Sequence, residues 1–295
     1  MNDNNPPQEP IYSLAVLVHD KDHPNAIIEN LHKMSADEFE KFNKASERLT
    51  LWLKADMESF SILEYSYHQF KETVKEVSEQ LVSPTLPLIN DELVAINASF
   101  FSFLSLMRLY LDYTAKKIGS KNKAELEAFN KATNVEFDGY FSYRFFCQLR
   151  NYAQHLAMPI KGLNASNSLD ETGTKVIIKF RLYFIRDELL VHDDNWTHKV
   201  LPDLKTQPKH IDVLPLVKEV MDSLYRIHKT TVNAYLPLLK DDIDLVKGLM
   251  KHGEGRKQKP FVARLSDFSS GQKANVNMKE LPTGLIEYAD RISAS

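Results

Sequence analysis

Cysteine is nearly absent: Cys147 is the only one in 295 residues. A single thiol excludes an internal disulfide framework and a CxxC metal site, and it fits a reducing cytosol. Neither sign of charge dominates, with 37 Lys and Arg against 40 Asp and Glu. No global basic excess advertises nucleic acid, so any contact with RNA or DNA must be local. Charges interrupt the apolar runs well short of a membrane span, so no membrane partner is expected. The polar start "MNDNNPPQEP" has no apolar stretch after a basic one, so no signal peptide is read there, and the expected location is cytoplasmic. Walker-type and GxGxxG loops are missing, which removes nucleotide hydrolysis by those routes. Two mixed stretches, "HDKDH" at 19–23 and "HDDNWTH" at 192–198, read as turns rather than metal ligands. Neither a metal nor a cofactor is expected.

What is present is an ordinary globular composition, 43% hydrophobic and 26% charged, on a chain long enough to bury a sizeable core. Residues 1–10 read as a disordered tail. "IYSLAVLV" (11–18) is a short strand or a helix fragment, and periodicity does not separate the two. Ser35 with Glu38 forms a capping box that opens a long helix. Leu49, Leu53, Phe60, Leu63, Tyr67, Phe70, Val74 and Val77 repeat along it at helical spacing, and "SPTLP" (83–87) ends it. A second helix covers 89–118 and stops at Gly119. "KNKAELEAFNKAT" is a shorter third, and 136–157 is a fourth, closed by Pro159.

The texture then changes. Residues 161–174 are a turn-rich loop, and "KVIIKFRLYFI" (175–185) alternates like a strand whose partner is not placed. Residues 211–238 and 240–250 return to helix. "KHGEGRKQKP" is a basic, flexible connector before a weakly patterned tail. The expected fold is mainly α, a helical bundle with a small β insert after the fourth helix. The expected divisions are 1–10, 11–160, 161–250 and 251–295.

At about 100° per residue from Phe141, the side chains of Phe145, Leu149, Tyr152 and Leu156 form the core stripe of the fourth helix. The opposite sector holds Arg150, Tyr143, Gln154, Cys147, Tyr140, Asn151, Arg144 and His155. Arg150 and His155 sit at its two edges, about 140° apart. Asn151 and His155 are i, i+4, so the amide is placed to orient the imidazole. His155 lies in the last turn, where the helix C-terminus favours a cation. Arginine is built for bidentate phosphate contact, and its long stem lets it swing across the face. On the second helix Asn97, Arg108 and Asp112 share one stripe, opposite an apolar one of Phe100, Phe103, Met107, Tyr110 and Leu111. Arg108 with Asp112 is either a surface ion pair or part of a set that orients Arg150 and His155. Lys116, Lys117, Lys121, Lys123 and "GRKQK" at 255–259 read as solvated charge runs. Trp52 and Trp196 read as packing residues.

Arg-Asn-x3-His late in an aromatic helix, written here "RNYAQH", after a long helix carrying Asn and Asp, resembles the HEPN superfamily over residues 89–160. The resemblance implies a HEPN-like helical core over 11–160. It implies a homodimer with motif helices facing each other, and a metal-independent endoribonuclease of a toxin–antitoxin, phage-defence or RNA-processing system. The implied catalytic residues are Arg150 as phosphate clamp, His155 as general base or acid, and Asn151 as the residue that orients His155. Asn97, Arg108, Asp112 and Arg144 are the supporting ones. RNA is the implied partner, with an antitoxin or regulatory protein beside it. The alternative readings are a non-catalytic HEPN-like module that binds RNA or nucleotide or dimerises, and a helical structural protein.

Overall fold

The computed structural model describes residues 9–19, 26–82, 89–120, 123–174, 176–266 and 275–294. Along the chain run β1 (Ile11–His19), β2 (Ala26–Met34), α1 (Ala36–Leu49), a π-helical turn (Thr50–Lys54), α2 (Ala55–Val82), α3 (Ile89–Gly119), α4 (Lys123–Gly139) and α5 (Phe141–His155). Then come β3 (Ile160–Leu169), β4 (Val176–Ile185), α6 (Arg186–Leu189), a 3₁₀ turn (Leu190–Asn195), α7 (Leu201–Thr206), β5 (His210–Asp212) and α8 (Val213–Tyr235). A second 3₁₀ turn (Leu236–Leu239), α9 (Lys240–Lys251), β6 (Phe261–Ser266), β7 (Asn275–Glu280) and α10 (Thr283–Ala294) complete it. The protein is mostly helical, with two small sheets among the described residues.

Two compact units emerge: Met1–Met57 with Tyr235–Ser295, and Glu58–Ala234. In the first, the strands run β2-β1-β6-β7, antiparallel throughout. The stretch at 11–18 is therefore a strand, with Leu14 and Val16 fully buried. Residues 251–295, expected as connector and tail, instead supply β6, β7 and α10, so 11–57 groups with the C-terminal end and not with the rest of 11–160. The reason is long-range pairing: β1 finds its neighbour some 250 residues on, Tyr12 opposite Arg264, and no local pattern announces such a partner. The capping box forms as expected: Glu38 N–H donates to Ser35 Oγ (3.1 Å) and Ser35 N–H to Glu38 Oε2 (2.7 Å). That Ser35 N–H holds the Glu38 carboxyl below its ordinary value.

The second unit holds the aromatic core. Phe100 of α3, Phe145, Phe146 and Leu149 of α5 and Phe184 of β4 are fully buried, each burial stabilising by about 1.5–3 kcal/mol. By length and composition α3 could cross a membrane. Here its apolar side (Ile96, Phe100, Phe103, Leu104, Met107, Tyr110) is buried in this core. The expected loop at 161–174 contains strand β3, the missing partner of β4, with Ser166 opposite Lys179. "KGLNASNSL" has weak strand propensity, so pairing decides its state. Gly162 is required there: a Cβ would lie 2.1 Å from the Tyr183 hydroxyl oxygen. The hairpin closes at Gly173 (φ +70), with the Asp170 side chain accepting from Thr174 N–H (2.9 Å).

The expected helix over 136–157 is broken at Tyr140, whose backbone is extended (φ −124, ψ 121). Arg226 of α8 holds this corner. It grips the buried Glu136 in two hydrogen bonds (2.8 and 2.6 Å) and lays its guanidinium over the Tyr140 ring at 4.5 Å. These contacts lie 90 residues apart in sequence, which is why helical periodicity alone ran through the break.

Candidate functional site

Helix α5 carries the motif and is fixed on its inner side by aromatics. Trp196 is buried and stacks on Phe145 (5.4 Å) and Tyr152 (5.7 Å), with its indole N–H donating to the Leu189 carbonyl (2.9 Å). Trp196 is thus a packing residue. Gln148, not singled out by the sequence reading, adds a polar clamp. Its Oε1 accepts from Thr197 N–H (2.8 Å), and its Nε2 donates to Thr197 Oγ1 (2.6 Å). A glutamine on a helix face carries no local signal of such a bond.

The outer sector of α5 is narrower than its angles predict. Tyr143 is 2% exposed and Cys147 is half-buried, because α3 packs on that side. Burial pushes the Cys147 thiol up to about 12, the nearby Arg108 charge and its bond with Tyr143 opposing the rise. The Tyr143 phenol is likewise pushed up, chiefly by burial. A thiol held neutral in this way is a poor nucleophile. Leu156, expected in the core stripe, is exposed because α5 ends one residue earlier, at His155.

The predicted supporting residues separate. Arg144 leaves the site: its Nε donates to Asp203 Oδ2 (2.8 Å) and its Nη2 also reaches that oxygen. Its Nη1 donates to the Phe137 and Asp138 carbonyls at 3.3 and 3.5 Å, which satisfies acceptors left open at the end of α4. Arg108 pairs with Asp112 one turn on (2.8 Å), both side chains more than half exposed, and such a pair contributes little stability. Asn97 is 6% exposed and touches neither Arg150 nor His155 in its hydrogen bonds. It bonds the backbone of Ile160 instead.

Three motif residues remain at the outer end of α5. Arg150 is half-buried, with its Nε buried and without a hydrogen-bond partner. Its Nη1 donates to Asn151 Oδ1 (3.3 Å). Asn151 therefore serves Arg150 and not His155, a correction to the expected pairing. A charged donor on the neighbouring residue competes better for the amide oxygen than a solvated imidazole one turn away. His155 is exposed, and its side chain makes no hydrogen bond to any described residue. Asn151 is bonded to Arg150 and lies one helical turn before His155.

Elsewhere, no group of three or more His, Cys, Asp or Glu side chains is placed to hold a metal ion among the described residues. Of "HDKDH", residues 20–23 lie outside the described residues, as do 1–8, 83–88 and Lys121. In "HDDNWTH", His192 lies edge-on to the Tyr152 ring at 6.3 Å. Set beside protein-family models, curated proteins and solved structures, the chain matches none of them.

Proposed function

We propose that this protein is a metal-independent endoribonuclease of HEPN type. In this reading the helices around α5 form a HEPN-like bundle, and the protein is a cytoplasmic homodimer serving as a toxin or phage-defence effector. The observation that carries the reading is the uneven use of cationic side chains. Arg144 and Arg108 are spent on carboxylates, whereas Arg150 keeps donor capacity on the helix that ends in the exposed His155, whose side chain has no hydrogen bond to any described residue.

The chemistry uses what RNA supplies. The 2′-oxygen attacks the adjacent phosphorus while a base removes its proton; the bond to the 5′-oxygen breaks while an acid protonates that leaving oxygen. The products are a 2′,3′-cyclic phosphate and a 5′-hydroxyl. His155 serves as base or acid, and Arg150 stabilises the charge gathering on the phosphorane oxygens. One protomer offers one such histidine, and a facing copy of α5 supplies the second. Exposed apolar side chains beside the motif (Leu156, Met158) and on α3 (Val94, Leu109, Tyr113) support burial against a second copy.

The test is cleavage of a mixed RNA pool by purified protein in EDTA, next to His155→Ala. Wild type should leave cyclic-phosphate ends and the variant should not. A folded, dimeric wild-type protein that binds RNA without cutting it would support the non-catalytic binding module instead.

A further inference from the structure

Five residues beyond His155, the backbone of Ile160 is gripped by a side chain from another helix. Asn97 of α3 donates through Nδ2 to the Ile160 carbonyl (2.9 Å) and accepts at Oδ1 from the Ile160 N–H (3.1 Å). The carboxamide thus pairs with both backbone polar groups of one residue, as a neighbouring strand would. A further bond from Nδ2 to the Leu93 carbonyl (3.0 Å) fixes the amide on its own helix. Both residues are buried, Asn97 at 6% and Ile160 at 2% exposure, where an unmet peptide group is costly.

The chain between α5 and this clamp is short and held at both ends. At the helix end the Tyr152 carbonyl accepts from Leu156 N–H (2.9 Å) and Ala157 N–H (3.3 Å), and the Tyr152 ring is pinned by Trp196. At the other end stands the Asn97–Ile160 pair, next to the buried Pro159. His155 is the last residue of α5, where this segment begins; it is exposed, and its side chain has no hydrogen bond to any described residue. Arg150, by contrast, sits further up the helix, beside the fully buried Leu149.

We infer that Asn97 is a positioning residue: by holding the Ile160 backbone it fixes the last turn of α5 and so sets His155 relative to Arg150. This inference rests on the ribonuclease reading above. Release of the clamp frays the turn that carries the imidazole and spares the turn that carries the guanidinium. The expected signature is therefore a loss in the chemical step with substrate binding retained.

The experiment pairs amide hydrogen exchange with steady-state RNA cleavage for wild type, Asn97→Ala and Asn97→Asp. In Asn97→Ala, exchange at Leu156 and Ile160 should rise by about tenfold or more, as for a locally opened segment. Its kcat should fall about 10- to 100-fold, the scale for a misplaced reacting group, with KM moving less than about threefold. Asn97→Asp guards against simple misfolding. A protonated carboxyl restores both bonds, its O–H donating to the Ile160 carbonyl; an ionised one cannot donate. Cleavage and exchange protection in this variant, relative to wild type at the same pH, should recover as pH falls. Unchanged exchange at Ile160 in Asn97→Ala, an equal loss in kcat and gain in unfolded fraction, or a flat relative pH profile for Asn97→Asp would each overturn the proposal. Should wild type cut no RNA, the ribonuclease reading fails on its own account, and the exchange data alone decide the clamp.

Discussion

Arg144 and Asp203 form a two-donor ion pair between α5 and α7, with the arginine side chain only 15% exposed. The same guanidinium caps the end of α4. It is a corner bolt for the helix that, about two and three turns later, presents Arg150 and His155. Arg144→Ala should therefore lower stability by about 1–3 kcal/mol, the cost of leaving a partly buried carboxylate and carbonyls unmet. Cleavage per folded molecule should change little. Urea unfolding of Arg144→Ala, Asp203→Ala and the double variant checks this. The double variant should lose less than the sum of the singles.

Arg150 behaves in the opposite way. Its side chain contributes one long hydrogen bond to Asn151, so Arg150→Ala should leave the melting temperature nearly unchanged. On the proposed ribonuclease reading its effect should fall on RNA: weaker binding and slower cleavage. Arg150→Lys should not restore either, because an ammonium cannot reproduce a planar fork of donors on a phosphate. Filter binding and cleavage assays on the two variants test the point. Full activity in Arg150→Lys would show that only charge matters.

Cys147 links the stability of the fold to pH. Its thiol is pushed from an ordinary 9.0 up to about 12 by burial. The unfolded chain therefore releases this proton first as pH rises. Its contribution to stability is complete below about pH 9 and is lost between about 9 and 12. Unfolding free energies measured from pH 8 to 11 should fall more steeply for wild type than for Cys147→Ala. Some slope should persist in that variant, because Tyr143 is shifted in the same direction. In the native protein at pH 8, a thiol reagent should label Cys147 slowly, and unfolding should abolish the protection.

Gly162 is a packing requirement of the hairpin that follows the motif helix. A methyl group there meets Tyr183 at 2.1 Å from the hydroxyl oxygen and 2.4 Å from Cζ. Gly162→Ala should destabilise by about 1–3 kcal/mol, as overpacked sites do. Trimming the ring in Gly162→Ala/Tyr183→Ala should recover part of that loss. Thermal melts of the single and double variants measure both effects.

How much of this was legible beforehand depends on distance along the chain. The capping box at Ser35 and Glu38, the apolar stripe of α2 and the placement of Arg150, Asn151 and His155 at the end of an aromatic helix are written in residues three to seven apart. A helix imposes that spacing wherever it forms. The break at Tyr140 was not legible, because the side chain that holds it, Arg226, comes from α8. Nor was the strand at 160–169, whose weak propensity is overruled by its neighbour β4.

The sequence by itself determined that this protein is largely helical and that one helix ends in an arginine, an asparagine and a histidine. Only the tertiary structure decided which polar groups of that helix are engaged by other elements. It joined Asn97 to Ile160 across 63 residues and Arg144 to Asp203 across 59, turned Asn151 toward Arg150, and carried the C-terminal strands back to β1. The physical reason is the same in each case. Periodicity is set by neighbours on one element, whereas a hydrogen bond between elements depends on which backbones packing brings within about 3 Å.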